Sequence, residues 1–197
     1  DEFRQGNTGA IGNMLEDLLG IKENNLPIPN AAEWELKCGA EKSNAKTTLF
    51  HLDPSPRALK PITDLLLPKY GWAHNGAGVA YSIEEMSFRQ TISTTQRSDR
   101  GFKVVVNDEV GRVEISFDAN AVDPKRHGQW LQTVLARAGS GELNPQPYWG
   151  FSDLIYKAGT KLKNMFYVTA AKRKVHGEEY FHYNRAMILG EFDTDKF

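Results

Sequence analysis

The sequence has few of the features that disulfide-bonded, membrane-spanning or strongly basic proteins need. Its single cysteine, Cys38, excludes an internal disulfide and a zinc site built from thiolates alone. No apolar run approaches the roughly 20 residues of a membrane-spanning helix, and the first residues do not resemble a signal peptide. We therefore expect a cytoplasmic protein in a reducing environment, with no membrane partner.

An excess of charge of one sign is also absent. The 24 Lys and Arg residues nearly balance the 25 Asp and Glu residues, so the net charge is −1. This balance gives no overall attraction to nucleic acid, and any DNA binding must come from a local basic cleft. The chain also lacks a glycine-rich phosphate loop of the Rossmann or P-loop kind, because no strand precedes the glycines of residues 6–12. A metabolic α/β enzyme that depends on such a loop is therefore disfavoured.

The patterns that are present predict one α/β domain, with helices packed on a mixed sheet. A chain of 197 residues with 40% hydrophobic side chains can bury a substantial core. Apolar spacing and capping residues predict four helices. They are Gly6–Gly20, a short helix that follows the turn Pro54–Arg57 and ends at Leu67, one from Asp123 to Gly139 or Gly141, and Trp149–Lys163. Alternation and β-branched residues predict strands around residues 33–38, Thr47–Leu52, Val79–Thr91 and Met165–Ala170, and a hairpin within Phe102–Phe117 that turns at Asn107–Gly111. A basic turn is predicted at Lys172–Lys174 and Gly177.

The most informative stretch is Glu35-Leu-Lys37 in the first of these strands. Successive side chains of a strand point to opposite faces, so Glu35 and Lys37 share one face and Leu36 and Cys38 share the other. An acid and an ammonium beside a packed sheet are costly unless a cation and an anion bind there. A metal on Glu35 with Lys37 beside a phosphate would suit a phosphodiesterase. A surface ion pair on an exposed strand edge explains the same residues equally simply.

The predicted N-terminal helix carries a second candidate acid, Glu16. It lies about 60° from Leu19, at the border of the apolar stripe, where it can face a cleft between helix and sheet. Asp17 points to the other side and is expected in solvent. A plain surface acid is the alternative interpretation of Glu16. The predicted apolar stripe consists of Ile11, Met14, Leu15, Leu18 and Leu19.

These motifs, taken in order, resemble the active-site region of the MvaI/BcnI restriction endonucleases, relatives of the mismatch-repair nickase MutH. The resemblance depends on their types and spacing along most of the chain. The residues that carry it are Gly6–Gly12, Leu15–Leu19, Glu23–Pro29, Glu35-Leu-Lys37, Ala45–Phe50, Pro54–Arg57, Lys69-Tyr-Gly71, Tyr148-Trp-Gly-Phe151 and Lys161-Leu-Lys163.

The resemblance implies a MutH-like fold of the PD-(D/E)XK nuclease superfamily and a bacterial or archaeal monomer that cuts double-stranded DNA at a short site. It implies Mg²⁺ as the cofactor, with Mn²⁺ as a substitute and Ca²⁺ supporting binding without cleavage. Glu16 is then the helix acid that orients water or the metal shell. Glu35 and the backbone carbonyl of Leu36 are metal ligands, and Lys37 positions the attacking water and stabilises the phosphate.

One position departs from the family pattern. Five residues before Glu35, where the family has a metal-binding aspartate, this chain has Asn30. An amide oxygen can still coordinate magnesium, but the site loses one negative charge. We therefore expect weak metal affinity and little or no cleavage, whether the asparagine is natural or engineered. The alternative function is a catalytically inactive module on the same fold that binds DNA or protein.

Further DNA contacts are predicted on basic and polar side chains, each of which is equally plausible as an ordinary surface residue. Lysine and arginine side chains can position a duplex through its phosphates, and imidazole and amide groups can reach base edges. The phosphate candidates are Lys42, Lys46, Arg57 and Lys69, and the base candidates are His182 and Asn184. Family members continue past the region matched by residues 180–184. The resemblance therefore implies a single nuclease domain over residues 1–197 that lacks the family's C-terminal recognition segment.

Overall fold

The protein has an α/β fold, as predicted, in a computed structural model that describes residues 9–21, 33–44, 46–139 and 142–188. The helices are α1 (Ala10–Leu18), α2 (Leu67–Tyr70), α3 (Pro124–Ala138) and α4 (Phe151–Leu162), with a 3₁₀ turn at Arg57–Leu59 and a π-helical segment at Pro61–Leu66. The strands are β1 (Glu35–Ala40), β2 (Trp72–Ala73), β3 (Met86–Ser87), β4 (Arg100–Asn107), β5 (Arg112–Val122), β6 (Tyr148–Gly150), β7 (Met165–Val175) and β8 (Glu178–Ile188).

The chain forms two compact units. The first unit combines Asp1–His51 with Ile155–Phe197, and the second unit is Leu52–Leu154. The prediction of a single domain stays a prediction, because two compact units can belong to one domain. No helix in the described part of the chain is long and apolar enough to cross a membrane.

A three-stranded sheet with the order β1-β7-β8 forms the centre of the first unit. β1 runs parallel to β7, with Glu35 opposite Met165, and β8 returns antiparallel to β7. Leu36 packs with Leu15 of α1 and with Val168 on one face of this sheet. Met165 points to the other face, where it packs against the Ala158 and Leu162 side chains of α4. The sheet is thus covered by a helix on each side, and Glu35 shares the α4 side with Met165.

The second unit is built around the predicted hairpin of β4 and β5, which β6 extends to a three-stranded antiparallel sheet. Its core packs the π-helical segment, α2 and α3 against this sheet. The buried residues of the core are Leu65, Leu66, Tyr70, Phe102, Ile115, Val134 and Leu143. The Tyr70 hydroxyl donates a hydrogen bond to the Glu142 carbonyl at 2.7 Å. Burial raises the pKa of this phenol to about 12, so it remains a neutral donor throughout the physiological range.

Two predicted strands are wrong. Thr47–Leu52 has no regular structure in the described part of the chain, and its Phe50 packs against the α4 cluster instead of joining a sheet. Within Val79–Thr91 only Met86–Ser87 is a strand. Turns precede it, closed by hydrogen bonds such as that from the Tyr81 amide to the Gly76 carbonyl. High β-propensity does not make a strand where no partner strand lies alongside.

Smaller differences concern element ends. The basic turn predicted at Lys172–Lys174 and Gly177 is correct only at Gly177. Lys172–Lys174 belong to β7, and the chain turns at His176 and Gly177, which both have positive φ angles. Leu18 and Leu19, expected in the apolar stripe of α1, are exposed. They lie at the end of α1, beyond the turn that packs on the sheet through Leu15.

Asp123 caps α3, and this generates a stability prediction. Its carboxylate accepts hydrogen bonds from the backbone amides of Lys125 and Arg126 at 2.9 and 3.3 Å. Replacing Asp123 with Ala removes both bonds, and we expect the free energy of unfolding to fall by about 1 kcal/mol. Urea unfolding measures the loss, and Asp123→Asn, which retains an accepting oxygen, is the control. Equal losses in the two variants would contradict the capping role.

Cys38 gives a prediction on pH. Burial raises the pKa of the partly buried Cys38 thiol from its ordinary 9.0 to about 11. Because the thiolate is the reactive form, the folded protein should react with a thiol reagent at pH 8 about a hundredfold more slowly than the urea-unfolded chain. The rate should rise about tenfold per pH unit up to pH 10. Equal reaction rates of Cys38 in the folded and the urea-unfolded chain would contradict the effect of burial on this thiol.

Candidate active site

The parallel pairing of β1 with β7 fixes the direction of each side chain in the Glu35-Leu-Lys37 motif. The Glu35 amide donates to the Asn164 carbonyl at 2.9 Å, which sets the register. Leu36 enters the core with Leu15, so Glu35 and Lys37 point to the opposite face. The alternation predicted from the sequence is therefore confirmed.

Glu35 is almost fully buried, with 3% of its surface exposed. Its Oε1 atom lies 2.7 Å from the Nζ atom of Lys37, and its Oε2 atom accepts a hydrogen bond from the Nζ atom of Lys161 at 3.3 Å. Burying a carboxylate costs roughly several kcal/mol of folding free energy, unless cations and hydrogen bonds compensate for the lost hydration. The two ammonium groups provide that compensation, one for each oxygen.

We call Glu35, Lys37 and Lys161 the acid–lysine cluster. It contains two ammonium groups and one carboxylate, a net charge of +1. The Lys37 and Lys161 side chains are 19% and 16% exposed, so solvent reaches them while Glu35 stays covered. An anion such as a phosphate group can therefore approach the cluster from the lysine side.

Tyr167 lies on the same face of the sheet, opposite Lys37 in the β1–β7 register. Its hydroxyl occupies the space where a Cβ atom of residue 39 would stand. Glycine at position 39 gives this phenol room beside the cluster. A larger residue there would push the tyrosine ring away from its position over β1.

The backbone of Leu36 offers a further oxygen. The Glu35 amide bonds to β7, and the backbone groups of successive strand residues point to alternate sides, so the Leu36 carbonyl points away from β7. Among the described strands, β1 is at the edge of its sheet. The carboxylate of Glu35 and this carbonyl are hard oxygen donors, the kind that magnesium prefers.

These two donors suit a magnesium ion in kind, but they do not complete a site. No group of three or more His, Cys, Asp or Glu side chains in the described ranges could hold a metal. Asn30, the predicted third ligand, lies outside the described residues. Its role, and that of Glu35 and Leu36 as ligands, stays a prediction.

The predicted helix acid, Glu16, is half-buried on α1. Its neighbour Leu15 packs on the Leu36 face of the sheet, which is opposite to the face of the Glu35 carboxylate. The convergence of Glu16 and Glu35 on one cation therefore also stays a prediction. Asp17 is exposed, as expected.

Two of the predicted phosphate contacts, Lys42 and Lys46, are exposed on the segment that follows β1. Lys42 lines an open groove of ≈ 490 Å³ together with Lys172 and Arg173 of β7. Lys172 is partly neutralised there, because its Nζ atom lies 2.9 Å from a carboxylate oxygen of Glu179. Glu41 also lines the groove, so its lining combines three basic side chains with one acid. The groove belongs to the same unit as the acid–lysine cluster.

The other two phosphate candidates lie in the second unit. Arg57 forms an ion pair with Asp153 at 3.1 Å between largely exposed side chains. Lys69 is half-buried on α2. Neither observation tests a DNA contact.

The two candidates for base contacts differ in their surroundings. His182 is exposed on β8. The amide of Asn184 accepts a hydrogen bond from the Thr169 hydroxyl at 3.0 Å and donates one to the Glu41 carboxylate at 2.9 Å. The side chain of Asn184 therefore has a structural role in the β7–β8 hairpin, and contact with a base would require it to release these partners.

Sequence reasoning missed Lys161 as a site residue. It belongs to the Lys161-Leu-Lys163 motif, and its neighbour Leu162 is buried under the sheet. A lysine at the border of a buried helix stripe is commonly a surface residue. Only the packing of α4 over β1 pairs it with an acid 126 positions earlier.

Removing the acid of the cluster should expose the mutual repulsion of the two lysines. We expect Glu35→Gln to lower the free energy of unfolding by about 3 kcal/mol, since two partly buried ammonium groups lose their counter-ion. Urea denaturation measures the loss. Glu33→Gln, a change of the exposed acid just before β1, is the control and should stay within about 0.5 kcal/mol. Equal stabilities of the Glu35→Gln variant and the unchanged chain would contradict the cluster.

Comparison with known proteins shows the family and the fold of the chain. The structure of the restriction endonuclease MvaI in complex with its cognate DNA substrate matches with a TM-score of 0.72 and 23% identity, over 97% of this chain and 68% of that one. MvaI in the absence of DNA matches with a TM-score of 0.46 and 18% identity, over 91% of this chain and 61% of that one. No curated protein matches significantly. The model of the MvaI/BcnI restriction endonuclease family matches residues 2–197, so the chain belongs to that family and has its restriction-endonuclease fold.

Proposed function

We propose that the chain is a type II restriction-like endonuclease, acting as a monomer, that hydrolyses phosphodiester bonds of double-stranded DNA at a short site with Mg²⁺. The observation that carries the proposal is the buried Glu35 carboxylate flanked by the ammonium groups of Lys37 and Lys161. A phosphodiesterase needs an oxygen ligand for a metal and a cation for the phosphate next to each other. Membership of the MvaI/BcnI family supports the same activity.

Each residue of the proposed site would have a separate role. The Glu35 carboxylate, the Leu36 carbonyl and the side chain at position 30 would hold the metal, which when bound supplies a Lewis acid and an activated water. Lys37 keeps its ammonium on the Oε1 side of Glu35, at 2.7 Å, where it can stabilise negative charge that develops on a phosphate. Glu16 would orient water from α1.

Asn30 should lower the affinity of the proposed site for a divalent cation, and with it the rate of cleavage. With aspartate at position 30, a divalent cation would meet two carboxylates. With asparagine, Glu35 is the one carboxylate among the three proposed ligands, and two ammonium groups already offset its charge. The net positive charge of the cluster disfavours a metal ion but attracts a phosphate. The second candidate function, a module that binds DNA without cutting it, is favoured by this charge balance.

Restoring the acid distinguishes the two functions. Asn30→Asp should raise nicking of supercoiled plasmid with Mg²⁺ by at least about tenfold, because one added carboxylate strengthens a hard-cation site. Gel electrophoresis of the plasmid follows the reaction, with Ca²⁺ expected to support duplex binding and no nicking. Asn30→Asp combined with Glu35→Gln is the control and should return to the background.

Two outcomes would contradict the proposal in different ways. Duplex binding without any gain in nicking for Asn30→Asp would favour the binding module. If Asn30→Asp and the double variant Asn30→Asp with Glu35→Gln nick the plasmid equally, Glu35 is not a ligand of the metal.

A further inference from the structure

We propose that the end of the β7–β8 hairpin enters the major groove of a DNA duplex, where Arg173, Tyr180 and His182 contact the base edges. We call residues 171–175 and 178–182 the ribbon. The inference deepens the proposed function and rests on it, because it names the part of the chain that would recognise the DNA sequence. Sequence reasoning selected His182 alone, and strand pairing adds Arg173 and Tyr180.

The ribbon projects beyond the rest of its sheet. β1 pairs with β7 only as far as Ala170, and β7 continues to Val175. In the described part of the chain, only β8 pairs with β7 beyond that point. At about 3.3 Å per residue, the ribbon extends roughly 17 Å past the end of β1. A two-stranded ribbon fits the major groove of B-DNA, whereas the minor groove is only about half as wide.

Arg173 lies on the face of the sheet that carries the acid–lysine cluster, which we call the cluster face. Tyr167 is opposite Lys37 in the register and shares this face, and alternation along β7 brings Arg173 back to it. The preceding residue, Lys172, points to the other face, where its Nζ atom lies 6.0 Å from the centre of the Phe181 ring. The two faces of the ribbon are therefore chemically distinct.

A β-bulge directs two side chains of β8 to the cluster face. The register between β7 and β8 shifts after Thr169, because Asn184 is an extra residue in β8. The Asn184 amide is held by the Thr169 hydroxyl at 3.0 Å and by the Glu41 carboxylate at 2.9 Å. An extra residue exchanges the faces of the side chains beyond it. Without this bulge, Tyr180 and His182 would point to the other face.

The three side chains offer the groups that base edges bind. Tyr180 is the direct partner of Arg173, and His182 is the partner of Ala171, and direct partners in antiparallel strands share a face. All three are exposed, and their side chains have no hydrogen bond or ion pair within the described ranges. An arginine fork matches the O6 and N7 acceptors of guanine, and imidazole and phenol groups can donate or accept.

The spacing from the acid–lysine cluster is compatible with one duplex. His182 pairs with Ala171, which lies four positions beyond Tyr167, the residue opposite Lys37. Four positions span about 13 Å of strand, close to the roughly 12 Å width of the major groove. A phosphate at Lys37 can therefore border the groove that the ribbon occupies.

The charge of this end of the sheet also suits DNA. Residues 171–182 contain three basic and two acidic side chains, a net charge of +1 with histidine neutral, although the whole chain carries −1. The open groove at the base of the ribbon is lined by three basic side chains and one acid. Positive charge is thus concentrated where the duplex would lie.

The test is a selection of duplexes from a random pool by the full chain with Ca²⁺. Affinities for the selected duplex and for an unrelated one then give a specificity ratio. The variants are Arg173→Gln and His182→Ala. Lys174→Gln is the matched control, because it removes the same charge from the next residue, on the opposite face. All these side chains are exposed, so the substitutions should leave folding intact.

Arg173→Gln should lower the affinity for the selected duplex about tenfold to a hundredfold, the loss of one base contact, and that for the unrelated duplex less than about threefold. His182→Ala should also lower the specificity ratio. Lys174→Gln should weaken binding to both duplexes equally. Methylation of guanine N7, in the major groove, should interfere with binding of the unchanged chain at a base to which Arg173→Gln is insensitive.

The outcomes separate the ribbon from the proposed function. If Arg173→Gln and Lys174→Gln change the specificity ratio equally, the ribbon does not contact bases and the proposed function stands. Interference by methylation only at adenine N3, in the minor groove, would likewise overturn the inference. If the unchanged chain binds all duplexes equally, the ribbon inference is wrong, whereas plasmid nicking by Asn30→Asp would still support an endonuclease. If it binds no duplex, the proposed function fails and the inference fails with it.

Discussion

The burial of one carboxylate determines the arrangement of the first unit. Glu35 is the buried charged side chain of the described core, and its position under α4 is stable only because two ammonium groups reach it. Replacing such a cluster with apolar residues often costs a protein nothing in stability. The cluster is therefore better explained by the proposed chemistry than by folding, since a metal and a phosphate would meet at this carboxylate if the proposed function is right.

Three features of the fold hold the acid–lysine cluster in place. The parallel pairing of β1 with β7 fixes Glu35 and Lys37 on one face of the sheet. α1 covers the other face through Leu15, which keeps Leu36 in the core. α4 packs over Met165 and delivers Lys161 to the carboxylate. The two lysines differ in origin, because Lys37 lies on the same strand as Glu35 and Lys161 comes from α4.

Local patterns were sufficient to predict some of these features. Alternation assigned Glu35 and Leu36 to their faces, and turn residues located the hairpin between β4 and β5. Two strands, at Thr47–Leu52 and over most of Val79–Thr91, were predicted wrongly, because propensity does not reveal whether a partner strand exists. Lys161 could not be assigned because its pairing with Glu35 arises only when α4 packs on the sheet. The directions of side chains were thus predictable within one strand, and the pairing of side chains between elements was not.

The proposed function requires that a divalent cation and a DNA phosphate meet at the buried Glu35 carboxylate. Crystals of the Asn30→Asp chain with Mn²⁺ and duplex DNA test this requirement most directly, by anomalous diffraction at the manganese edge. We expect an anomalous peak within about 2.5 Å of a Glu35 oxygen and of the Leu36 carbonyl oxygen, with a phosphate of the duplex beside it. A well-bound duplex whose manganese lies away from Glu35 would contradict the proposed function.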